Sequence, residues 1–192
     1  MANKVYPQSP SVSAYMNSER ETFTIWMKSL VYQTNGCTVY NSQGQIVFRV
    51  DNYEDKCSNE VHLMDLQGNV LCTIRKKKLQ AFGGWVGYRW NGSDIDKDKP
   101  WFQVKRSYSS LACEITVDQC DKYWIMRLTA AGKAGFKIVD GDRAIVAEAK
   151  QKQSSTGVAL GNDVLSLEVE GDKDHSLIMA LVTVYGLIRG KI

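Results

Sequence analysis

The sequence predicts a mainly β protein, a closed antiparallel barrel of about twelve strands around a central, hydrophobic C-terminal α-helix. Three observations carry this expectation. First, no residue from Leu177 to Ile188 is charged, so a helix there is apolar on every side and must lie inside other structure. At about 18 Å such a helix is too short for a comfortable membrane span and suits a buried core element. Second, short alternating runs separated by Gly, Asn and Asp turns recur along the chain ahead of it, the rhythm of an all-β sandwich or barrel. Third, a sandwich interior about 10 Å thick is filled by its own side chains, whereas a helix with side chains is about 10–12 Å across. Only a closed barrel has a lumen for it, and closure also removes the exposed strand edges.

Residues 1 to about 20 are rich in Ser, Pro and Asn and read as a mobile leader. Residues 21–192 form a single domain. Thr22 to Ser29 alternates, with Phe23, Ile25 and Met27 on one face and Trp26 and Lys28 on the other. Asn35-Gly36 is a hairpin signal, followed by Cys37 to Tyr40, a turn at Asn41 to Gly44, and Ile46, Phe48 and Val50 with Arg49 facing away. Glu60 to Leu66 and Val70 to Arg75 flank a Gln67-Gly68 turn. Then come Trp85 to Trp90, an Asn91-Gly92 turn, Trp101 to Ser107, Ala112 to Val117 and Tyr123 to Thr129. Phe136 to Val139, an Asp140-Gly141 turn, Ala144 to Lys150, a polar loop around Ser154 to Thr156 and Val164 to Val169 complete the strands. Ile145, Ala147 and Ala149 offer a small inner face for the helix. Asp172 and Asp174 suit its N-terminus, and Arg189 and Lys191 its other pole. The β-branched Ile178, Val182, Thr183, Val184 and Ile188 leave a final buried strand as the alternative, because periodicity does not separate the two.

Composition bounds function. A net charge of +3 is too mild to imply nucleic-acid binding, so any electrostatic role is local. The five cysteines Cys37, Cys57, Cys72, Cys113 and Cys120 include no CxxC pair and read as buried thiols in a reducing compartment rather than metal ligands. The first twenty residues hold no apolar run suited to a signal peptide. A cytosolic or nuclear monomer is expected, peripheral to a membrane if it binds one, with no cofactor.

The runs FTIWMKSLVYQTNGCTVYNSQGQIVFRVDNY, VHLMDLQGNVLCTIRKKKL and DHSLIMALVTVYGLI together resemble the plant LURP-one-related proteins over nearly everything after about residue 20. That family is similar in fold to the tubby C-terminal domain and the phospholipid scramblases, so the resemblance implies the same barrel and central helix. It also implies an association with plant defence and, by analogy with tubby, tethering at a membrane.

Four consecutive cations, Arg75-Lys76-Lys77-Lys78, close a strand and are followed by Phe82 and Trp85. Such a cluster suits anionic lipid or phosphoinositide, or nuclear import, and equally suits a solvated strand end. Lys105 and Arg106 join it if the barrel brings them near. Asp94, Asp96 and Asp98 imitate an EF-hand opening, but Lys99 stands where glycine is required and Lys105 where the closing glutamate belongs. Glu168, Glu170, Asp172 and Asp174 read as a strand's outer face and a helix cap rather than a calcium segment. Gly132 to Gly135 mimics a nucleic-acid clamp but lies between strands and reads as a turn. His62 and His175 are the only histidines, and no phosphate loop, dinucleotide fingerprint or nucleophile elbow accompanies them. The expected function is a non-catalytic membrane-surface module. The alternatives are a protein-interaction module without lipid binding and, third, a cysteine–histidine enzyme.

Overall fold

The computed structural model describes residues 15–27, 35–52, 59–77, 84–90, 95–106, 112–128 and 135–192. In chain order the elements are β1 (Met16–Asn17), β2 (Glu21–Trp26), β3 (Asn35–Tyr40), β4 (Ile46–Asn52), β5 (Glu60–Asp65), β6 (Val70–Lys77) and β7 (Gly84–Arg89). There follow β8 (Phe102–Arg106), β9 (Ala112–Val117), β10 (Asp121–Leu128), β11 (Gly135–Val139), β12 (Ile145–Gln151), β13 (Val164–Val169), β14 (Lys173–Asp174) and α1 (His175–Ile188). Strands β2 to β13 form a closed barrel in which each pairs antiparallel with its sequence neighbour. The ring closes where β13 meets β2, from Val164↔Trp26 to Val169↔Glu21. The remaining two strands, β1 and β14, pair with each other beside the start of the helix.

Strand alternation fills the lumen. Phe23 and Ile25, Phe48 and Val50, Phe102 and Val104, and Leu165 and Leu167 are all buried in one continuous core with the helix. From Leu177 to Val184 every helical residue is buried, as a helix without a polar face requires. The β-branched residues do not prevent it, since burial on all sides outweighs a propensity penalty of a few tenths of a kcal/mol per residue. Thr183, the polar exception, donates its hydroxyl to the Met179 carbonyl at 2.8 Å. Two glycines permit close approaches. A Cβ at Gly87 would lie 2.2 Å from the Phe102 ring, and one at Gly171 would lie 2.2 Å from the Ser18 carbonyl oxygen.

The leader boundary at residue 20 falls inside paired chain, because Met16–Asn17 is already hydrogen-bonded to Lys173–Asp174. Residues 1–14 lie outside the described residues, as do Cys57, Phe82, the Asn91-Gly92 turn, Asp94 and residues 132–134. Two expectations are corrected. Asn35-Gly36 is not a hairpin turn: both residues lie within β3, opposite Asn52 and Asp51. A two-residue hairpin needs the strands on either side to pair across it, and β2 instead meets β3 farther along, at Trp26↔Thr38. Nor does Ile145 face inward. The register of β11 against β12 shifts between Ile138↔Ala147 and Val139↔Ile145, an irregularity that resets the alternation. Val146, Ala147 and Ala149 are buried as a result, and Ile145 is exposed. Ile145→Lys is therefore expected to change stability by no more than about 0.5 kcal/mol, and Val146→Lys to cost several kcal/mol. Thermal melts of the two variants check this, and the reverse order would overturn the shifted register.

Candidate anion-binding mouth of the barrel

Strands of an up-and-down barrel end alternately at its two mouths. β6, β8 and β10 all finish at the mouth where α1 ends. The end of β6 carries Arg75, Lys76 and Lys77, and that of β8 carries Lys105 and Arg106. Arg127 lies near the end of β10, and Arg189 and Lys191 follow the helix. The opposite mouth, where the helix begins, gathers Glu21, Asp65, Asp140, Glu168, Glu170 and Asp174. A chain of mild net charge thus folds with an excess of cations at one mouth, where Glu60 and Glu114 also lie, and an excess of acids at the other, where Arg20, Arg89 and Lys173 are paired, a separation that the alternating strand directions bring about.

Pairing register places the candidate residues. Lys77 and Lys105 sit on one rung, each opposite Gly84, and Lys105 also faces Glu114. These side chains share the outer surface, where a glycine between the lysines leaves their stems room. Lys76 belongs to the next rung, with Trp85, Val104 and Ile115. Its partners there are buried, so Lys76 extends the lumen-side row out to the rim. Arg106, opposite the buried Cys113, does the same. The consecutive cations are therefore divided between two faces by the period of the strand. Lys78 lies outside the described residues.

Their charges are not equally available. Arg75 is paired with Glu60 and lies 5.8 Å from the centre of the Tyr88 ring. Lys77 donates from Nζ to Oε1 of Gln103 at 3.1 Å. Beside Lys105, Glu114 already holds Lys122 at 3.0 Å. Lys76, Lys105 and Arg106 are exposed.

Between β8, β10 and the helix end lies a cavity of about 140 Å³ whose lining includes Arg106, Arg127, Arg189, Tyr185 and Cys113. A second hollow of about 90 Å³ shares Arg127, Tyr185 and Arg189 with it. Tyr185 packs against Phe136 with ring centroids 4.3 Å apart. Burial pushes the Tyr185 phenol up from its ordinary pKa, and Arg189 and Arg127 oppose that rise. The sequence offered Arg189 only as a complement to the helix dipole, while Arg127 and Tyr185 carried no signal. Their convergence depends on where β10 and the helix stop.

The other mouth holds a groove of about 910 Å³ between the start of β2 and the β3–β4 hairpin, with Tyr15, Phe23, Asn41, Gln45, Phe48 and His175 in its lining. His175 is buried, and Nδ1 lies 3.4 Å from Oε2 of Glu21 while Nε2 has no hydrogen-bond partner among the described residues. Burial lowers its pKa, against the opposing pull of Glu21 and Asp174.

Other motifs resolve into structure. Arg20 bridges Glu170 at 2.6 Å and Glu168 at 3.7 Å, so these acids brace the start of β2. Asp172 stands in a left-handed turn at φ 59°. Asp96 accepts the Asp98 amide in a local turn. His62 contacts the Thr73 hydroxyl at 3.0 Å across the rung His62↔Thr73. Cys72, one position from Thr73, faces the opposite side of the sheet. Burial pushes the thiols of Cys72 and Cys113 up, away from the reactive thiolate. Cys37 is also buried, but Cys120 is exposed, which corrects the expectation for that thiol. Turn chemistry explains it, since Asp118 and Gln119 turn through φ 45° and 68° just before it. Among the described residues no helix is long and apolar enough to cross a membrane.

The architecture has relatives. A solved X-ray structure of a protein from Arabidopsis thaliana matches with a TM-score of 0.65 at 17% identity, over 92% of this chain and 95% of that one, a likeness of fold. Protein LURP-one-related 4 of Arabidopsis thaliana is 55% identical over 190 residues, covering 97% of this chain and 87% of its own length. Protein LURP-one-related 11 of the same plant is 41% identical over 187 residues, covering 92% and 81%. The family model described as LURP-one-related matches residues 21–186, from the first barrel strand into the last turn of the central helix, and the chain belongs to that family.

Proposed function

We propose that this chain is a non-catalytic, tubby-like barrel that docks its cationic mouth on anionic phospholipid, with a preference for phosphoinositide. The observation that carries this reading is the sorting of charge: Lys76, Lys77, Lys105, Arg106 and Arg127 at one mouth, and Glu21, Asp65, Glu168 and Glu170 at the other. Such a dipole orients the protein on a negative surface as well as attracting it. The part in plant defence implied by the family resemblance would be exercised from that surface. At about 1 kcal/mol per basic residue near an anionic bilayer, Lys76→Ala, Lys77→Ala and Lys105→Ala together remove about 3 kcal/mol, roughly a 150-fold loss of vesicle affinity. Vesicle sedimentation at low salt tests it, with melting expected to change little because Lys76 and Lys105 are exposed and Lys77 loses one hydrogen bond to Gln103. Binding should weaken as salt is raised. Absence of wild-type binding, or equal binding by both proteins, would sink the reading.

A second reading, a protein-interaction module without lipid binding, draws on the groove at the other mouth. β2 pairs with β3 only from Thr24 onward, so among the described residues its first three, Glu21 to Phe23, lack a strand neighbour on that side and border the groove. An extended segment of a partner added to that edge would complete the ladder. Pull-down of a protein without lipid, lost on Thr22→Pro, would favour it.

A further inference from the structure

We propose that the cavity between β8, β10 and the helix end is a phosphate-monoester site, in which Arg106, Arg127 and Arg189 grip the terminal phosphate and Tyr185 donates its hydroxyl. This deepens the membrane reading above and rests on it for the lipid source, though not for the chemistry.

Three elements far apart in sequence each contribute an exposed arginine to the lining of a single hollow of about 140 Å³. Arg75, Arg20 and Arg89 are held by Glu60, Glu170 and Asp174. Among the described residues, Arg106, Arg127 and Arg189 have no ion-pair partner, and no carboxylate lines the cavity. Three arginines without an ion-pair partner around one hollow make the local potential positive and favour an anion there. The arginine fork matches tetrahedral oxyanions in particular.

Size and shape select the kind of anion. The hollow is well below the roughly 300 Å³ at which pockets begin to enclose whole small molecules. It therefore takes one charged group and leaves the rest of the ligand at the rim, near the lysines of β6 and β8. A phosphate monoester presents a free end with three acceptor oxygens and a charge of about −1.5 to −2. A phosphodiester, such as that of phosphatidylserine, carries one charge between two ester carbons and offers no terminal phosphate, and the serine carboxylate beyond it brings one charge on two oxygens beside an ammonium. Ala112, Ile125 and Ile188 supply an apolar wall, which weakens competition from water for the same donors. The Tyr185 phenol is a hydroxyl donor at neutral pH.

Two ligand sources share this chemistry, a phosphoinositide headgroup and a free phosphorylated metabolite. Calorimetric titration of the full chain with inositol trisphosphate measures the site in solution. Sedimentation with phosphatidylcholine vesicles carrying phosphoinositide or charge-matched phosphatidylserine measures it at a surface. Arg127→Gln with Arg189→Gln is expected to weaken the soluble ligand at least tenfold and to abolish the preference for phosphoinositide, while charge-driven vesicle binding remains. Tyr185→Phe, which keeps the ring on Phe136, should weaken the soluble ligand less. If the glutamine pair melts early, Arg127→Lys with Arg189→Lys supplies the comparison: it keeps charge and loses the fork, and it too should lose the preference. Lys76→Ala with Lys105→Ala should weaken the soluble titration less than the arginine pair does. Equal binding of the two vesicle types together with no heat from inositol trisphosphate would overturn the pocket and leave the tether standing. Soluble binding that depends on Arg127 and Arg189, without vesicle binding, would support the pocket as a metabolite site and overturn the tether. Soluble binding unaffected by either arginine pair would overturn the assignment to this cavity.

Discussion

Truncation after Gly171 is expected to yield unfolded or insoluble protein, and Leu181→Asp nearly the same. The helix is the filling of the barrel: Leu177, Ile178, Met179, Leu181, Val182 and Val184 are all buried within the ring of strands. At about 1.5–3 kcal/mol per fully buried side chain these six residues contribute roughly 9–18 kcal/mol, an upper figure because the unfolded chain is itself partly collapsed. Net stabilities are only about 5–15 kcal/mol. Removing the helix also uncovers the inner rows of every strand, so the loss is larger than the helix's own share. Leu181, with none of its surface exposed, has no route to water for a carboxylate, and the substitution combines lost burial with an unpaired buried charge, above about 5 kcal/mol in all. Far-ultraviolet circular dichroism and size-exclusion chromatography check both variants. A truncated chain that stays monomeric with an unchanged melt would mean that the barrel stands without its core.

Asp174→Ala should cost about 2–3 kcal/mol, because one carboxylate serves both the helix and the barrel wall. Oδ1 accepts from the amides of Ser176 at 2.9 Å and Leu177 at 3.3 Å, and from the Ser176 hydroxyl. Oδ2 accepts from Nη2 of Arg89 at 2.8 Å. An N-cap is worth about 0.5–2 kcal/mol. The ion pair adds to that because Asp174 is largely shielded and Arg89 is fixed over the Trp101 ring, 4.0 Å from its centroid. For a domain of this size about 2–3 kcal/mol lowers the melting temperature by roughly 4–12 °C. Asp174→Asn keeps an oxygen for the cap and loses the charge, so it should recover most of the difference. An alanine variant that melts with the wild type would show that neighbouring groups satisfy the first turn without Asp174.

Much of the barrel was legible in the chain because strand alternation is local. Thr22 to Met27, Ala112 to Val117 and Val164 to Val169 each announce their buried face by a period of two. The helix was legible from its lack of any charged face, and its N-cap from an aspartate placed just before it. Even the barrel followed, since a helix that is apolar all round needs a lumen. What alternation cannot carry is anything depending on register between distant strands. The shift at Val139↔Ile145 turns Ile145 outward although its own neighbours predict it inside. Arg75 reads as one of four equal cations, yet it is paired with Glu60 across the β5–β6 rung.

The candidate site shows the same division. The composition and periodicity of this sequence determined a helix-filled barrel with basic residues at several strand ends. The tertiary structure decided that those ends share a mouth, that strand period divides Lys76 from Lys77, and that Arg106, Arg127 and Arg189 border one hollow. Burial pattern is written residue by residue along each strand, whereas the meeting of three charges depends on where elements start, stop and pair, which no local stretch of sequence encodes.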